Sequence, residues 1–353
     1  MKGKKVLVAL SGGVDSSVSS ILLKEQGYDL IGITLRVFNP QNYRLDPLAQ
    51  NIKDATKLAD KLQIPYYVID VHKEFKQTVI GNFISEYQAG RTPNPCVLCN
   101  PEIKWKSLLK IANEFDCEYI ATGHYAQIKI HKGRYHISKA MDEVKDQSYF
   151  LWRLNQNELS RTIFPLGKYK KPEIKRIAAE KGFKTIASKK ESYDICFIPE
   201  GDYRNYLKEH SPKEKQGIIG KFITESGQVL GDHLGIENYT IGQRKGLALS
   251  TEVPLYVSKI NSKENQIVLA KKQELMCNEL IINDYNLSKY PAIPDEIIIK
   301  SKMRYKSPEI LSKINTNNQQ LTIQFSEPVF AVSPGQSIVF YEDNDLIGGG
   351  IIY

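Results

Sequence analysis

Apolar residues along the first third of the chain follow two periods in turn. Short apolar runs typical of buried strands are KVLVAL, DLIGITLRVF, IPYYVIDV and EYIATGH, and segments with helical spacing lie between them. The loop RTPNPCVLCN interrupts the pattern, because its two prolines disfavour a regular helix, and the helix PEIKWKSLLKIANEF follows. Strands that alternate with helices predict an α/β fold, a doubly wound parallel sheet that binds ligands at the carboxyl ends of its strands.

The pattern changes after residue 125. A hairpin is predicted around Lys132 and Gly133, and KPEIKRIAAEKG reads as a short helix with proline near its start and glycine at its end. From Gly217 onward, short alternating strands separated by Gly, Asn and Asp turns predict small β domains. We therefore predict a catalytic domain with a helical extension over residues 1–201, a central β domain over 202–276 and a C-terminal β-barrel over 277–353.

The turn SGGVDSS lies between the first predicted strand and the first predicted helix, where glycine-rich loops bind phosphate. Gly12 and Gly13 allow the backbone to approach a ligand closely, and the serine hydroxyls of the turn add donors. Asp15 would repel phosphate by itself, so we expect it to be a partner of Mg²⁺. The turn lacks the lysine of the common nucleoside-triphosphate loop, which disfavours γ-phosphoryl transfer. A plain capped turn is the alternative.

SGGVDSS resembles the pyrophosphate loop of the ATP-pyrophosphatase superfamily. In that superfamily ATP is cleaved between its α- and β-phosphates, the substrate becomes adenylated and the loop holds the departing pyrophosphate. Amidotransferase synthetases, argininosuccinate synthetases and tRNA-modifying enzymes share the motif. The resemblance therefore implies the activation chemistry and leaves the acceptor open.

Two of the five cysteines have sequence surroundings that suggest chemistry. Cys99 lies beside a predicted helix start, where a thiolate is stabilised, and Cys196 lies in the turn-rich segment SYDICFIPEGDY. Such cysteines can meet above one sheet edge, and each can also be an inert buried residue, as we expect of Cys117 and Cys277. An odd, sparse set argues against a structural disulfide framework.

Charge and hydropathy place the chain in a broad class. The net charge is +8, from 48 basic and 40 acidic residues, which suits a polyanionic partner better than an acidic one. No apolar run approaches the length of a membrane helix, and the N-terminal apolar run ends at the Gly-Gly turn without a cleavage pattern. We expect a cytoplasmic protein with no membrane partner.

Several separate segments, in the same order, resemble the bacterial tRNA-specific 2-thiouridylases over essentially the whole chain. The matching segments are SGGVDSS, GRTPNPCVLCNPEIKW, ATGHYA, KDQSYFLW, ICFIPEG, YTIGQRKGL, RY, PGQSIVFY and GGGII. The family resemblance implies ATP-dependent adenylation of the C2 oxygen of the wobble uridine of tRNA, followed by sulfur transfer that gives 2-thiouridine, AMP and pyrophosphate. The uridine must leave the stack of the anticodon loop before its C2 atom can be reached.

The resemblance also implies roles for the cysteines. Cys196 would carry the sulfur as a persulfide, and Cys99 would act as the second thiol, either by forming a transient disulfide with Cys196 or by attacking C2 first. A sulfur-relay protein or a cysteine desulfurase would be the donor, and the expected substrates are the tRNAs for Lys, Glu and Gln.

Further site residues follow from the resemblance, and polar turns or caps are their structural alternatives. ATP, with Mg²⁺, would contact Ala9, Leu10, Ser11, Gly12, Gly13, Val14, Asp15, Ser16, Leu35 and Gly123. The residues implied to contact tRNA are Asn94, Pro95, His124, Lys145, Asp146, Gln147, Arg244, Lys245, Arg304, Tyr305 and Gln336.

One position departs from the family pattern. The residue three before the nucleophile is often aspartate in the family, and here it is Cys96, which makes the segment a C-x-x-C. Cys96 can line the uridine pocket as an acid or base, or three thiolates from Cys96, Cys99 and Cys196 can hold a [4Fe–4S] cluster with one open iron site. A zinc site is less expected, because only two of four ligands are local.

Two other classes of protein share part of this pattern. A pyrophosphatase-type ligase or amidotransferase for a small molecule would have the same loop but would not explain two reactive cysteines beside basic β domains. A non-catalytic RNA-binding protein would need a broken loop or broken cysteines, and both are intact. Pyrophosphate release that depends on tRNA separates the sulfurtransferase from both.

Overall fold

The computed structural model describes residues 3–37, 49–188, 195–198, 201–212, 217–294, 297–317 and 320–353. Parts of the segment around Cys196, residues 192–194 and 199–200, lie outside the described residues. The strands are β1 Lys5–Ala9, β2 Asp29–Arg36, β3 Tyr66–Asp70, β4 Tyr119–Ala121, β5 Gln127–His131, β6 Arg134–Ser138, β7 Thr162–Ile163, β8 Gly220–Ile223, β9 Val229–His233, β10 Tyr256–Asn261, β11 Gln266–Ala270, β12 Met276–Ile282, β13 Tyr285–Leu287, β14 Ile299–Lys302, β15 Ile310–Asn317, β16 Gln320–Phe330, β17 Ser337–Glu342 and β18 Asp345–Ile351.

Two of the helices run on through a π-helical turn. The helices are α1 Val14–Glu25, α2 Ala49–Leu62, α3 from His72–Phe75 through the π-helical Lys76–Ile80 to Gly81–Gln88, α4 from Pro95–Cys99 through the π-helical Asn100–Trp105 to Lys106–Glu114, α5 Gln156–Ser160, α6 Lys171–Glu180, α7 Lys184–Ala187 and α8 Tyr203–His210, with 3₁₀ turns at Ser148–Leu151, Ile236–Asn238 and Lys272–Leu275. Within the described residues, none of these helices is long and apolar enough to cross a membrane.

The first third of the chain forms a five-stranded parallel sheet in the order β3-β2-β1-β4-β7. Successive residues of β1 are buried on opposite faces: Leu7 packs in the cluster around Trp105 of α4, and Val6 and Val8 pack in the cluster with Ile21 of α1. Continuous apolar strands are what a sheet covered on both faces requires. The prediction of an α/β doubly wound sheet followed by β domains is therefore confirmed.

The prediction of a loop over RTPNPCVLCN is wrong from Pro95 onward, because residues Pro95–Cys99 are helical. Pro95 takes the first helical position, where its fixed φ is favourable and its missing N–H would have no partner in the helix anyway. Pro101, farther along, falls in the π-helical turn Asn100–Trp105, which accommodates an interior proline that the regular ladder would not. The helix therefore begins at Pro95, six residues before its predicted start at Pro101. It includes both Cys96 and Cys99.

The rest of the chain is mainly β structure. Strands β8 to β11 form a four-stranded sheet in the order β10-β11-β8-β9, and strands from β12 onward form most of a nine-stranded sheet. The hairpin β5–β6 turns at Lys132 and Gly133, as predicted. It joins the nine-stranded sheet, because Ser138 at the end of β6 pairs with Asp345 of β18. Residues from the predicted first and third domains thus share one sheet.

Candidate active site

The loop after β1 is held in shape by its own side chains and by α2. The backbone N–H of Ser11 donates to Ser16 Oγ over 3.0 Å, and Ser16 Oγ donates to the carbonyl of Gly13 over 3.2 Å. Gly12 has φ = +70°, and a Cβ at this residue would lie 2.2 Å from the carbonyl oxygen of Asn51. Both the left-handed backbone and the close approach of α2 therefore require glycine at position 12.

The loop opens into a cavity of about 450 Å³ at the carboxyl ends of the parallel strands. Gly123 follows β4, and a Cβ there would lie 2.8 Å from the backbone N of Ser16, so the end of β4 lies directly against the loop. The nucleotide-binding residues of the sequence analysis that line this cavity are Ala9, Leu10, Ser11, Asp15, Ser16, Leu35 and Gly123. Gly12, Gly13 and Val14 complete the same turn.

Asp15, in the first turn of α1, has a basic partner that the sequence did not suggest. Its two carboxylate oxygens each lie 2.7 Å from Nζ of Lys171, at the start of α6, and the hydroxyl of Tyr125 donates to Oδ1 over 2.8 Å. The role in Mg²⁺ binding expected of Asp15 stays a prediction, and the ion pair gives its carboxylate a second role in this structure. The chemistry of the loop therefore includes a lysine after all, supplied from a distant helix.

Three thiols from distant parts of the sequence also line this cavity. Cys96 and Cys99 belong to the first turns of α4, and Cys196 belongs to the short described segment 195–198. All three line the cavity that the loop opens into, and all three are free thiols. The fold thus brings a nucleotide-type loop and three sulfur atoms, far apart in sequence, to one cavity.

The thiols are not activated in this arrangement. Burial raises the pKa of Cys99. Cys196 is exposed at the cavity surface, yet desolvation by the surrounding protein, followed by the neighbouring Cys96 and Cys99, raises its pKa to about 12. The expectation that a helix start stabilises the Cys99 thiolate is wrong, because Cys99 lies inside α4, beyond its first turn, where desolvation dominates. Both groups are therefore thiols at neutral pH.

A single cation, Lys104 of α4, faces these thiols among the described cavity residues. Its positive charge lowers the pKa of Cys96, Cys99 and Cys196, against the larger effect of burial. Nζ of Lys104 donates to Oδ1 of Asn100 over 2.9 Å, and the amide of Asn100 donates to the carbonyl of Phe150. This chain of hydrogen bonds fixes the ammonium group near the sulfur atoms.

The three thiols form no site for a single metal ion in the described geometry. A cluster would need Cys96, Cys99 and Cys196 to converge on one centre. Among the described residues, no group of three or more His, Cys, Asp or Glu side chains is placed to hold a metal ion. The chemistry below is therefore derived from the thiols themselves.

His124, implied to contact tRNA, lies on the cavity wall after β4. Its Nδ1 is 2.8 Å from the hydroxyl of Thr122, and its ring packs near the rings of Trp105 and Phe164 at centroid distances of 5.6 and 6.2 Å. Burial, with the nearby Lys104, lowers the pKa of His124 well below its usual value. The imidazole is therefore neutral at physiological pH and offers a hydrogen bond rather than a charge.

The residues 145–147 divide into different environments. Asp146 is buried, where its carboxylate accepts hydrogen bonds from the N–H of Ala140 and the hydroxyl of Ser148, so it holds the local turn together. The side chain of Gln147 accepts from the N–H of Tyr125 over 3.0 Å and lines the cavity. Lys145 is partly exposed on the same turn.

The other residues implied to contact tRNA also differ. Pro95 lines the cavity, and Asn94 precedes it as the N-cap of α4. Arg244 and Lys245 are exposed on a turn of the central β domain, available to a polyanion.

Arg304 and Gln336 bond to the backbone of their own protein. The guanidinium of Arg304 donates to the carbonyl of Ala331 and the hydroxyl of Ser333, and Tyr305 packs on Phe150 with ring centroids 4.5 Å apart. The amide of Gln336 donates to the carbonyl of Thr92 over 2.8 Å, just before the Cys96 helix. Gln336 thus ties the C-terminal β structure to the segment that precedes Cys96 and Cys99.

The sequence analysis missed two basic residues of this region. Lys104 lies five residues after Cys99 in the same matched segment, so a helix assignment for that segment would have placed it on the same helix as the thiols. Lys171 had no local signal, because it is 156 residues from Asp15. Ser17, considered as a phosphate donor, instead donates to the carbonyl of Gly13 and is buried.

The fold and the site together define a nucleotide-binding α/β protein with β-barrel appendages. The family described as tRNA methyl transferase HUP domain matches residues 4–200, and the tRNA methyl transferase PRC-barrel domain and aminomethyltransferase beta-barrel domain match residues 204–271 and 277–352.

The chain belongs to the tRNA-specific 2-thiouridylase family. It is 44% identical to the tRNA-specific 2-thiouridylase MnmA of Amoebophilus asiaticus over 100% of this chain and 96% of the relative, and 44% identical to that of Cytophaga hutchinsonii over 99% and 98%. A distant likeness, with 23% identity and a TM-score of 0.37, covers 60% of this chain and 68% of the U34-tRNA thiolase NcsA from Methanococcus maripaludis with its [4Fe-4S] cluster.

The raised pKa of Cys196 predicts slow alkylation in the protein without tRNA. Desolvation and the neighbouring thiols disfavour the thiolate of Cys196, although its side chain is exposed, so it can be reached by a small reagent but reacts slowly near neutral pH. We expect the rate of iodoacetamide labelling at Cys196, followed by peptide mass spectrometry, to rise about tenfold per pH unit from pH 7 to 9.5 without a plateau. In urea-unfolded protein the labelling rate of the same cysteine should reach half its maximum at about pH 8.5 and level off about one pH unit higher. A plateau below pH 9 in the folded protein would contradict this reading.

Proposed function

We propose that this protein is an ATP-dependent tRNA-uridine 2-sulfurtransferase that converts the wobble uridine of tRNA to 2-thiouridine. The observation that carries the proposal is the single cavity lined by both the SGGVDSS loop and the thiols of Cys99 and Cys196. A small-molecule ligase would use the loop without needing thiols beside it. Family membership supports the same acceptor.

The first step activates the base. The C2 oxygen of the uridine attacks the α-phosphorus of MgATP, the bond to the β-phosphate breaks, and pyrophosphate leaves into the loop of residues 11–16. Backbone N–H groups at the start of α1 and the helix dipole stabilise the anionic oxygens of the leaving group. C2 then carries an O-adenylate, from which AMP can depart. Mg²⁺ enters with the phosphates of ATP.

The second step transfers sulfur. The terminal sulfur of a persulfide on Cys196 attacks C2 and displaces AMP, which leaves C2 joined to Cys196 by a disulfide link. The thiolate of Cys99 then attacks Sγ of Cys196, so that 2-thiouridine leaves and a Cys99–Cys196 disulfide forms. A dithiol reductant returns both cysteines to thiols, and a persulfide donor protein, a sulfur-relay protein or a cysteine desulfurase, reloads Cys196.

The raised pKa values of Cys99 and Cys196 keep both groups protonated, so the thiolate needed for sulfur transfer must form in the complex with tRNA. Lys104 is the cation that favours the thiolate of Cys99, and Cys96 adds a polar wall where the family often has a carboxylate. We expect bound tRNA to bring the Lys104 ammonium closer to Cys99, which lowers the pKa of that thiol. The chemistry of sulfur release therefore begins when tRNA is bound.

Binding of tRNA rests on charge and on a flipped base. The net charge of +8 and the exposed pair Arg244 and Lys245 supply sequence-independent phosphate contacts, which position RNA. We place the reaction in the cytoplasm, where the five free cysteines meet a reducing environment. The tRNAs for Lys, Glu and Gln are the proposed substrates.

The test is product formation from iron-free protein. The enzyme is mixed with unmodified tRNA, MgATP and a persulfide donor, and digested nucleosides are analysed by mass spectrometry for 2-thiouridine. We expect one pyrophosphate per 2-thiouridine, and pyrophosphate release only when tRNA is present. Product only after anaerobic iron–sulfur reconstitution would overturn the persulfide route. Pyrophosphate release with a small molecule in place of tRNA would overturn the acceptor.

A further inference from the structure

The ion pair between Asp15 and Lys171 lies at the point where a triphosphate must enter. Asp15 lines the cavity from the first turn of α1, and both of its carboxylate oxygens are 2.7 Å from Nζ of Lys171. The lysine is 6% exposed. Its own N–H donates to Asp142 over 2.8 Å, which fixes the start of α6 beside the loop.

This geometry resolves a conflict in the sequence of the loop. A carboxylate in an anion-binding turn repels a polyphosphate and cancels part of the helix dipole that favours it. The common triphosphate loop carries its own lysine, and this loop does not. Lys171 brings one positive charge to the same turn from α6.

We propose that Lys171 is the charge-compensating residue of the pyrophosphate site: by neutralising Asp15 it makes the loop able to bind the β- and γ-phosphates of ATP. This inference rests on the proposed function for the use of ATP, and it is independent of the acceptor. In this proposal Asp15 positions the ammonium group of Lys171, and Mg²⁺ enters the site bound to the phosphates of ATP.

The alternative is a purely structural ion pair between α1 and α6. The two helices are already joined by an apolar cluster that includes Val14, Val18, Ile174 and Ala178. The side chain of Asp15 is 34% exposed toward the cavity, so it does not need Lys171 merely to avoid burial of an unpaired charge. The position of the pair at the loop, and not deeper between the helices, favours a role in binding anions.

The experiment compares binding of ATP and AMP, without tRNA, by calorimetry. AMP lacks the two phosphates that the loop would hold, so it reports on the rest of the nucleotide site. We expect Lys171→Met to weaken ATP binding about tenfold or more and AMP binding by less than about twofold. Lys170→Met, the exposed neighbour with the same charge change, should leave both affinities unchanged.

A double variant separates compensation from structure. In Lys171→Met/Asp15→Asn the carboxylate charge is removed together with the ammonium, so we expect ATP affinity to return to within about threefold of wild type. Failure of the double variant to bind ATP, with a wild-type melting temperature, would overturn the proposal and favour a metal ligand at Asp15. Equal losses of ATP and AMP binding in Lys171→Met would assign the pair to structure alone.

The nucleotide-binding experiment and the 2-thiouridine assay can fail independently of each other. A protein that shows the expected ATP and AMP pattern but makes no 2-thiouridine would retain this inference and lose the acceptor. A protein that makes 2-thiouridine with unchanged ATP affinity in Lys171→Met would lose the inference and keep the function.

Discussion

Replacement of Cys196 by serine is expected to abolish 2-thiouridine formation while tRNA-dependent pyrophosphate release continues. A hydroxyl cannot carry a persulfide, so the sulfur-transfer step loses its reagent, whereas the loop that holds pyrophosphate is on a different element. We expect a loss of at least about a thousandfold in product, the size found when a covalent nucleophile is removed. Nucleoside mass spectrometry and a pyrophosphate assay on the same reaction measure both steps.

Two variants control this result. Cys277→Ser changes a partly exposed cysteine of β12 and should retain full activity. Cys99→Ser should leave persulfide loading of Cys196 intact but block turnover, so that tRNA accumulates in a covalent link to Cys196, visible on a non-reducing gel. Full thiolation by Cys196→Ser would show that the sulfur arrives by another route, and the assignment of the two cysteines would then be wrong.

Gly12→Ala is expected to unfold the nucleotide loop and to abolish ATP binding. The new Cβ would lie 2.2 Å from the carbonyl oxygen of Asn51, a backbone atom that cannot move without shifting α2. The left-handed backbone costs about 1–2 kcal/mol for alanine, and overpacking adds about 1–3 kcal/mol. We expect a clear fall in melting temperature together with loss of ATP binding, measured by differential scanning fluorimetry with and without ATP.

A matched glycine isolates the contact with α2 from the backbone effect. Gly133, in the turn between β5 and β6, also has positive φ, at +78°, and a Cβ there would meet nothing within 4 Å. Gly133→Ala should therefore cost only the backbone strain, about 1–2 kcal/mol, and leave ATP binding unchanged. Equal stability losses in the two variants would mean that the loop yields to the methyl group, contrary to the packing described above.

The parallel sheet was predictable because its inner strands β1, β2 and β4 are largely buried and therefore read as continuous apolar runs. The hairpin was predictable from Lys132 and Gly133, where the chain needs a left-handed turn. The start of α4 at Pro95 was not predictable, because proline is typical both of loops and of the first helical position. Only the packing of the helix against the sheet decides between a loop and a helix there. The earlier start of the helix places Cys99 inside α4, so its pKa is raised by burial, whereas a helix start would lower it.

The site was predictable only where its residues lie in one local motif. The loop residues 9–16 and the cysteine segment were accessible to sequence reasoning, because spacing carries their chemistry. The ion pair of Asp15 with Lys171 was not predictable, because the lysine is far away in the chain and no local rule reports a long-range ion pair. Asp146 and Gln336 have polar side chains that suggest binding, yet the fold uses them to bond its own backbone.

The shared sheet formed by the β5–β6 hairpin has a consequence for how the protein is made. On the ribosome, strand β6 emerges long before Asp345 of β18, its pairing partner about 200 residues later. At about 5–20 residues per second, that edge waits for tens of seconds with unpaired backbone groups. Exposed strand edges invite pairing with other chains, so we expect the nascent chain to be most prone to aggregation at β6 until β18 has emerged.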